Sequence, residues 1–146
     1  MCGFLSIYLK NNKFKNNIDM IKNNFEDFSF RGPDNSNFEE YLINDNKLFV
    51  GHHRLSIIDL DERSNQPMNS EDKRYKLIYN GEIYNHLDIR RELENKFNIK
   101  WLGTSDTETL LNLLIYCPIS ESLNKLKGMF SFTFFDFKEN KIIVSR

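Results

Sequence analysis

The chain has 146 residues, with 20 basic and 21 acidic side chains and a formal net charge of −1. This length fits one domain with its own hydrophobic core and is too short for two ordinary domains. The balanced charge, without a basic stretch interleaved with aromatic residues, argues against nucleic acid or an anionic membrane as a partner.

The cysteines and the apolar runs indicate the cellular compartment of the protein. Cys2 and Cys117 lack the spacing of a zinc site and are too few for a disulfide scaffold. Cys117 follows an apolar stretch and is expected to be an inert core thiol. The apolar run at residues 4–9 is too short for a secretory signal, and the run at 110–119 is too short for a membrane span. We therefore expect a soluble, cytoplasmic protein.

The first half of the chain predicts short strands and one helix. Residues 4–9 form an apolar run that predicts a strand, followed by a polar loop over 10–17. Apolar residues at helical spacing predict a helix over 18–28, which ends before turn-forming residues at 31–34. The remaining elements predicted in this half are strands at 38–43, 47–53 and 56–59 and a loop at 61–73.

The second half predicts a strand at 75–79 that ends at Asn80-Gly81, and then several helices. Ser105 and Glu108 have the spacing of a capping box, which opens a strongly apolar helix that ends before Pro118. The other predicted elements are helices at 87–97 and 119–127, strands at 100–102 and 130–137, and a strand at 142–144 that forms a hairpin with its predecessor.

The strand at 130–137 is apolar on both faces, which indicates that layers cover it on both sides. Many short strands with helices inserted at intervals predict an α+β fold of two stacked sheets with helices outside.

Cys2 is the first candidate for chemistry, because it directly follows the initiator methionine. After removal of Met1, Cys2 carries both a thiol and a free α-amino group, and the amine can accept the proton of the thiol. Gly3 adds no side chain that would obstruct a substrate. The alternative is that Cys2 is an ordinary residue at a frayed terminus.

Asn80 and Gly81 are candidates for stabilising an oxyanion. The attack of a thiolate on a carboxamide produces a charged oxygen, which the side-chain NH2 of Asn80 and the backbone N–H of Gly81 would stabilise. Asn-Gly is also the commonest two-residue hairpin turn, so a simple turn is the alternative. Residues 82–85 pair poorly with 76–79 as the second arm of such a hairpin.

Binding an amino acid requires a cation for the carboxylate and anions for the ammonium. Arg54 offers a planar fork for the carboxylate, and Glu82 and Asp106 offer the anions. Alternatively, Arg54 is a solvated surface residue, and Asp106 stabilises a helix N-terminus through the macrodipole. His52 and His53 are adjacent in a strand and point to opposite faces, so we expect no shared metal ion.

Seven short motifs stand in the order found in class II glutamine amidotransferases, and the chain resembles most closely the glutaminase domain of glutamine-hydrolysing asparagine synthetases. The resemblance covers the whole chain. The motifs are Met1-Cys2-Gly3, Arg31-Gly32-Pro33-Asp34, Arg54-Leu55-Ser56-Ile57-Ile58-Asp59, Gln66-Pro67-Met68, Asn80-Gly81-Glu82-Ile83-Tyr84-Asn85, Ser105-Asp106-Thr107-Glu108 and Gly128-Met129-Phe130.

The resemblance implies an N-terminal-nucleophile hydrolase fold, a four-layer α/β/β/α sandwich of two antiparallel sheets. It implies that Cys2 is the nucleophile and that Asn80 and Gly81 stabilise the oxyanion. The substrate-binding residues that it implies are Arg54 at the carboxylate, the backbone of Leu55, Ser56, Ile57 and Ile58, and Glu82 and Asp106 at the ammonium.

The expected reaction is hydrolysis of L-glutamine to glutamate and ammonia through a Cys2 thioester. Relatives continue beyond the equivalent of residue 146 with further strands and a synthetase domain that uses ATP and Mg²⁺. We therefore expect residues 1–146 to be one partial amidotransferase domain, C-terminally incomplete and without a cofactor of its own. Its expected partners are a synthetase domain or subunit that accepts the ammonia and, as an open option, a second copy of the chain.

Three alternatives are weighed beside this interpretation. The chain is a truncated, non-catalytic module that binds glutamine or a partner, or it is the glutaminase part of another amidotransferase. A general N-terminal-nucleophile amidase is the third, and the pairing of Arg54 with Asp106 argues against it because these charges suit a zwitterionic amino acid.

Overall fold

The structure is a computed structural model that describes residues 2–10 and 18–146. Apart from Lys10, the loop predicted at 10–17 lies outside the described residues. The chain divides into two compact units, Met1–Ser56 and Ile57–Arg146. Each unit contains one antiparallel sheet together with α-helix. The predicted α+β class with two antiparallel sheets is therefore confirmed, while the assignment of residues 1–146 to a single partial domain stays a prediction.

The first unit is built on a three-stranded sheet whose central strand is β3. Its elements are β1 (Gly3–Leu9), α1 (Ile18–Glu26), β2 (Asn35–Ile43) and β3 (Asn46–Arg54), and the strand order is β1-β3-β2. Asn44 and Asp45 both have positive φ, 47° and 63°, as the tight turn of the β2–β3 hairpin requires. The helix and the three strands predicted before residue 54 are thus confirmed.

Phe25 of α1 fixes the helix against the end of β3. Its ring stacks on His53 with 3.9 Å between ring centroids, and a side chain at Gly51 would meet that ring at 2.5 Å. His53 Nε2 also donates to Phe25 O at 2.9 Å. His53 is therefore a core residue with a structural role, and the end of β3 is held in place.

The second unit is built on a four-stranded sheet in the order β4-β5-β6-β7. Its hydrophobic core includes Leu77, Tyr79 and Phe132 of the sheet and Leu110 and Leu114 of a helix. The elements are β4 (Met68–Asn69), β5 (Tyr75–Ile83), α2 (His86–Lys96), α3 (Asp106–Tyr116), α4 (Ile119–Lys125), β6 (Gly128–Asp136) and β7 (Lys141–Ser145).

Most predictions for the second unit are confirmed within a few residues, including the β6–β7 hairpin and the end of α3 before Pro118. Ile78 and Phe135 alternate with the core residues of their strands and are fully buried too. The strand predicted at 130–137 is therefore covered on both faces, as expected. The predicted loop at 61–73 contains β4 and a short 3-10 helix at Glu62–Ser64.

Two predicted strands are wrong because side chains take up the backbone hydrogen bonds of the segments concerned. Residues 56–59 form a loop in which Ser56 N donates to Asp34 Oδ2 at 2.7 Å. Residues 100–102 are also irregular, and Leu102 N donates to Glu108 Oε1 at 2.7 Å. An apolar run forms a strand only where a ladder partner is available.

The predicted end of the strand at Asn80-Gly81 is wrong as well, because β5 continues through both residues to Ile83. Asn80 pairs with Ser131 of β6, and Gly81 pairs with Phe130. The two residues therefore do not form a hairpin turn. Among the described residues, no helix is both long and apolar enough to cross a membrane.

Candidate active site

The predicted site residues are divided between the two units. Cys2, Arg54, Leu55 and Ser56 lie in the first unit. The second unit contains Ile57, Ile58, Asn80, Gly81, Glu82 and Asp106.

Cys2 directly precedes β1, whose first residue, Gly3, pairs with His53 near the end of β3. This pairing places the thiol beside the residue that follows β3. Leu55 N donates to Cys2 Sγ at 3.3 Å, and the thiol lies 3.6 Å from Leu55 O. The structure therefore brings the predicted nucleophile into contact with the segment predicted to bind the substrate.

Arg31 also holds the backbone of Cys2. Its Nε donates to Cys2 O at 3.2 Å, across 29 positions of sequence. The sequence marked Arg31-Gly32-Pro33-Asp34 as a motif but indicated only a turn. The contact identifies Arg31 as a residue that orients Cys2, a role that sequence reasoning missed.

The same motif also holds the end of β3. Asp34 N donates to Arg54 O at 3.0 Å, and Asp34 Oδ2 accepts from Ser56 N. A side chain at Gly32 would lie 2.2 Å from His53 O, so glycine is required for this close approach. Gly32 and Asp34 thus fix the backbone of the segment that is predicted to bind the substrate.

Arg54 is the last residue of β3 and is 5% exposed. A solvated arginine on the surface is therefore excluded. The binding role of its planar guanidinium stays a prediction.

Asn80, Gly81 and Glu82 lie side by side near the end of β5. Because side chains alternate along a strand, Asn80 and Glu82 point to the same face of the sheet. Asn80 is half-buried and Glu82 is exposed. Glu82 pairs with Met129, which is 72% exposed. The amide of Asn80 therefore lies toward the accessible end of this face.

Asp106 is the first residue of α3 and is 5% exposed. Its Oδ2 accepts from Tyr79 OH at 2.7 Å and from Ile83 N at 3.1 Å. These two residues flank the 80–82 segment on β5. Asp106 thus holds β5 on either side of the 80–82 segment, on the face opposite to the side chains of Asn80 and Glu82, and it does more than stabilise the helix N-terminus. The roles of Tyr79 and Ile83 were not predicted.

Ser105 and Glu108 set the start of α3. Ser105 Oγ accepts from Glu108 N at 3.2 Å, which confirms Ser105 as the N-cap. The second half of the predicted capping box is replaced, since the Glu108 carboxylate accepts from Leu102 N and, at 2.9 Å, from Gly103 N. Glu108 therefore orders the loop that leads into the helix.

Further charged side chains hold the same loop, residues 102–104. Arg63 Nη1 donates to Leu102 O at 2.6 Å, and Arg90 Nη2 donates to Gly103 O. Asp59 Oδ2 accepts from Thr104 N at 2.7 Å. Burial acts to raise the pKa of Asp59, but hydrogen bonds from Thr104 N–H and Asp61 N–H outweigh it and lower that pKa.

A cleft of about 780 Å³ in the second unit contains none of the predicted site residues. Its lining includes Met68, Tyr75, Leu111 and Tyr116. Within the described residues, no group of three or more His, Cys, Asp and Glu side chains is arranged to hold a metal ion.

Comparison with known proteins identifies the family of the chain. A family model described as "Glutamine amidotransferase domain" matches residues 1–146. The chain is 35% identical over 148 residues to "Asparagine synthetase [glutamine-hydrolyzing] 1" of Bacillus subtilis (strain 168), covering 100% of this chain and 22% of that protein. It is 37% identical over 131 residues to "Putative asparagine synthetase [glutamine-hydrolyzing] 2" of Methanocaldococcus jannaschii, covering 80% of this chain and 24% of that protein.

A solved structure also resembles the chain. It is the glutamine phosphoribosylpyrophosphate amidotransferase from B. subtilis complexed with ADP and GMP, with a TM-score of 0.54 and 24% identity over 66% of this chain and 22% of that one. This similarity concerns the fold, and it agrees with the expected N-terminal-nucleophile hydrolase class. The chain spans about a quarter or less of the length of these relatives.

Proposed function

The chain belongs to the glutamine amidotransferase domain family, and from this premise we propose that it hydrolyses L-glutamine to glutamate and ammonia. The observation that carries the proposal is the contact between Cys2 Sγ and Leu55 N at 3.3 Å. This contact supports the proposal because Leu55 directly follows Arg54, whose guanidinium suits the substrate carboxylate. A buried thiol without such a neighbour would be an ordinary core residue.

The reaction starts once Met1 has been removed and the amine of Cys2 has accepted the thiol proton. The thiolate attacks the side-chain carbonyl carbon of glutamine, and the resulting oxyanion accepts hydrogen bonds from the Asn80 side chain and Gly81 N–H. Ammonia leaves with the proton that the amine returns, and a thioester remains on Cys2. Water then attacks the thioester, which releases glutamate and restores the thiol.

The remaining residues recognise the amino-acid end of the substrate. Arg54 binds the α-carboxylate bidentately, and the backbone of residues 55–58 contributes further hydrogen bonds. Glu82 and Asp106 bind the α-ammonium group. Both hydrogen bonds that hold Asp106 use Oδ2, so we assign Oδ1 to the ligand.

We propose that the ammonia passes to a synthetase domain or subunit that produces asparagine, since the relatives reported above are named as glutamine-hydrolysing asparagine synthetases. The cytoplasm is the proposed location. Association with a second copy of the chain stays a prediction.

Glutamate release from L-glutamine tests the proposal. The chain should produce one glutamate per ammonia, Cys2→Ala should abolish the activity, and Cys117→Ala should retain it as the matched control. Alanine is small enough at position 2 to preserve removal of the methionine. A chain without glutamate release would support a binding module instead, and activity in Cys2→Ala would assign the chemistry to another residue.

A further inference from the structure

We propose that Asp59 is a positioning residue for glutamine recognition, which fixes the start of α3, and with it Asp106, to the loop that carries Ile57 and Ile58. This inference rests on the proposed function, because it concerns the residues assigned to the substrate there. It gives a specific role to the last residue of the Arg54–Asp59 motif.

The first step is the contact between two segments that are 45 positions apart in sequence. Asp59 Oδ2 accepts from Thr104 N at 2.7 Å, and Thr104 lies two residues before Asp106. Asp59 itself directly follows Ile57 and Ile58. One carboxylate therefore connects the loop assigned to the substrate backbone contacts with the helix start assigned to the ammonium.

The second step is the closeness of this contact. A side chain at Gly103 would lie 2.4 Å from Asp59 Oδ2, so the carboxylate sits directly against the 103–104 backbone. Asp59 also has φ 51°, a left-handed conformation that is uncommon for residues other than glycine. Such a conformation persists where surrounding contacts determine it, and the hydrogen bond to Thr104 is one of them.

The third step is how the contact reaches Asp106. Ser105 caps α3 through Glu108 N, and Asp106 is tied to β5 through Tyr79 and Ile83. Glu108 holds Leu102 N and Gly103 N from within the helix, while Asp59 holds the next N–H from outside it. Loss of Asp59 leaves the helix cap intact but frees the junction between the substrate loop and Asp106.

Glutamine binding by the 146-residue chain in a Cys2→Ala background measures this coupling without turnover. Isothermal titration calorimetry would compare L-glutamine with 4-carbamoylbutanoate, which is glutamine without its α-amino group. Asp59→Ala should weaken L-glutamine binding about tenfold and change 4-carbamoylbutanoate binding by less than about twofold, because the second ligand has no ammonium for Asp106.

A double-mutant cycle with Asp106→Asn gives the second readout. Once Asp106 has lost its charge, Asp59→Ala should weaken L-glutamine binding by less than about a further twofold. Asp72→Ala is the matched control, because Asp72 likewise accepts from a backbone N–H, and its partners Ser70 and Arg74 belong to its own turn. Its binding of both ligands should equal that of the parent.

Asp59→Asn keeps one acceptor oxygen and should restore most of the affinity. If Asp59→Ala fails to fold, the binding of both ligands is compared between Asp59→Asn and the parent instead. Equal weakening for both ligands, or full additivity with Asp106→Asn, would show a merely structural role and overturn the inference. Binding of L-glutamine without glutamate release from the Cys2-containing chain would contradict the proposed function alone, whereas no binding by the parent would overturn both.

Discussion

At the scale of single residues, two hydrogen bonds hold Cys2 in place. Leu55 N donates to its thiol, and Arg31 Nε donates to its carbonyl oxygen. The second contact is to the backbone of Cys2 and does not use the thiol. A nucleophile that is fixed through its backbone in this way loses less freedom when the substrate binds.

Arg54 and Asn80 should give different kinetic signatures. Arg54→Lys should weaken glutamine binding by about 1.5–3 kcal/mol, because a point charge does not reproduce the bidentate fork. Asn80→Ala should lower kcat by about 10²–10³ with a smaller effect on KM, because its donor matters most once the oxyanion forms. Steady-state assays of glutamate release would separate the two, and identical signatures would refute this division of roles.

Gly81 should tolerate no side chain. Its φ is 151°, and a Cβ there would lie 2.2 Å from Met129 O, so Gly81→Ala should lower the free energy of unfolding by about 1–3 kcal/mol or more. Urea denaturation would measure this, with Ser131→Ala on the neighbouring strand as a control that changes little. An unchanged midpoint for Gly81→Ala would mean that β5 does not adopt this conformation.

The β6–β7 turn illustrates the element scale, because one carboxylate organises it. Asp136 accepts from Arg74 Nε at 3.0 Å and Nη2 at 2.7 Å, and also from Lys138 N and Glu139 N. The hydrogen bonds from Arg74 are the main reason that the pKa of Asp136 lies below its usual range. The ion pair therefore ties the turn to the start of β5.

Asp136→Asn should destabilise the chain by about 1–3 kcal/mol near neutral pH. A folded-state pKa below the unfolded value of about 3.9 gives stability that is present above that value and lost as the pH falls through the folded pKa. Urea denaturation from pH 7 down to pH 3 should therefore show the parent converging on the variant below about pH 4. A difference that is independent of pH would contradict the ionic account.

Glu92 provides the contrast for that measurement. Hydrogen bonds from Lys125 and then Lys96 lower the pKa of Glu92 to about 2, but its side chain is 39% exposed. Solvent screens such a pair, so Glu92→Gln should cost less than about 1 kcal/mol. A cost equal to that of Asp136→Asn would mean that burial does not separate the two ion pairs.

Some of the structure was predictable because its signals are local. Ser105 indicated the start of α3, and the residue patterns at 38–43 and 47–53 indicated β2 and β3. The strand predicted at 100–102 was wrong because local sequence does not show that Glu108 and Arg63 bind the backbone of Leu102 in place of a neighbouring strand. The strand predicted at 56–59 was wrong for the same reason, because Ser56 N donates to Asp34, 22 positions away in sequence.

At the scale of the whole molecule, the candidate site likewise contains residues with a local sequence signal and residues that only long-range contacts reveal. Cys2 and Asn80 could be proposed from the sequence because residue type and position alone suggest their chemistry. Arg31 and Tyr79 were missed because their contribution depends on contacts across 29 and 27 positions. Motifs thus indicated the residues that we propose for the chemistry, and the fold was needed to find the residues that contact them.

The whole-molecule account depends on Cys2 as an N-terminal nucleophile that recognises glutamine. Intact-mass spectrometry after treatment with a diazo-ketone analogue of L-glutamine tests this most directly. We predict a chain without Met1 and a single adduct, located at Cys2, that excess L-glutamine suppresses and that Cys2→Ala lacks. An adduct at Cys117, or equal labelling when a tag blocks the N-terminus, would contradict the account.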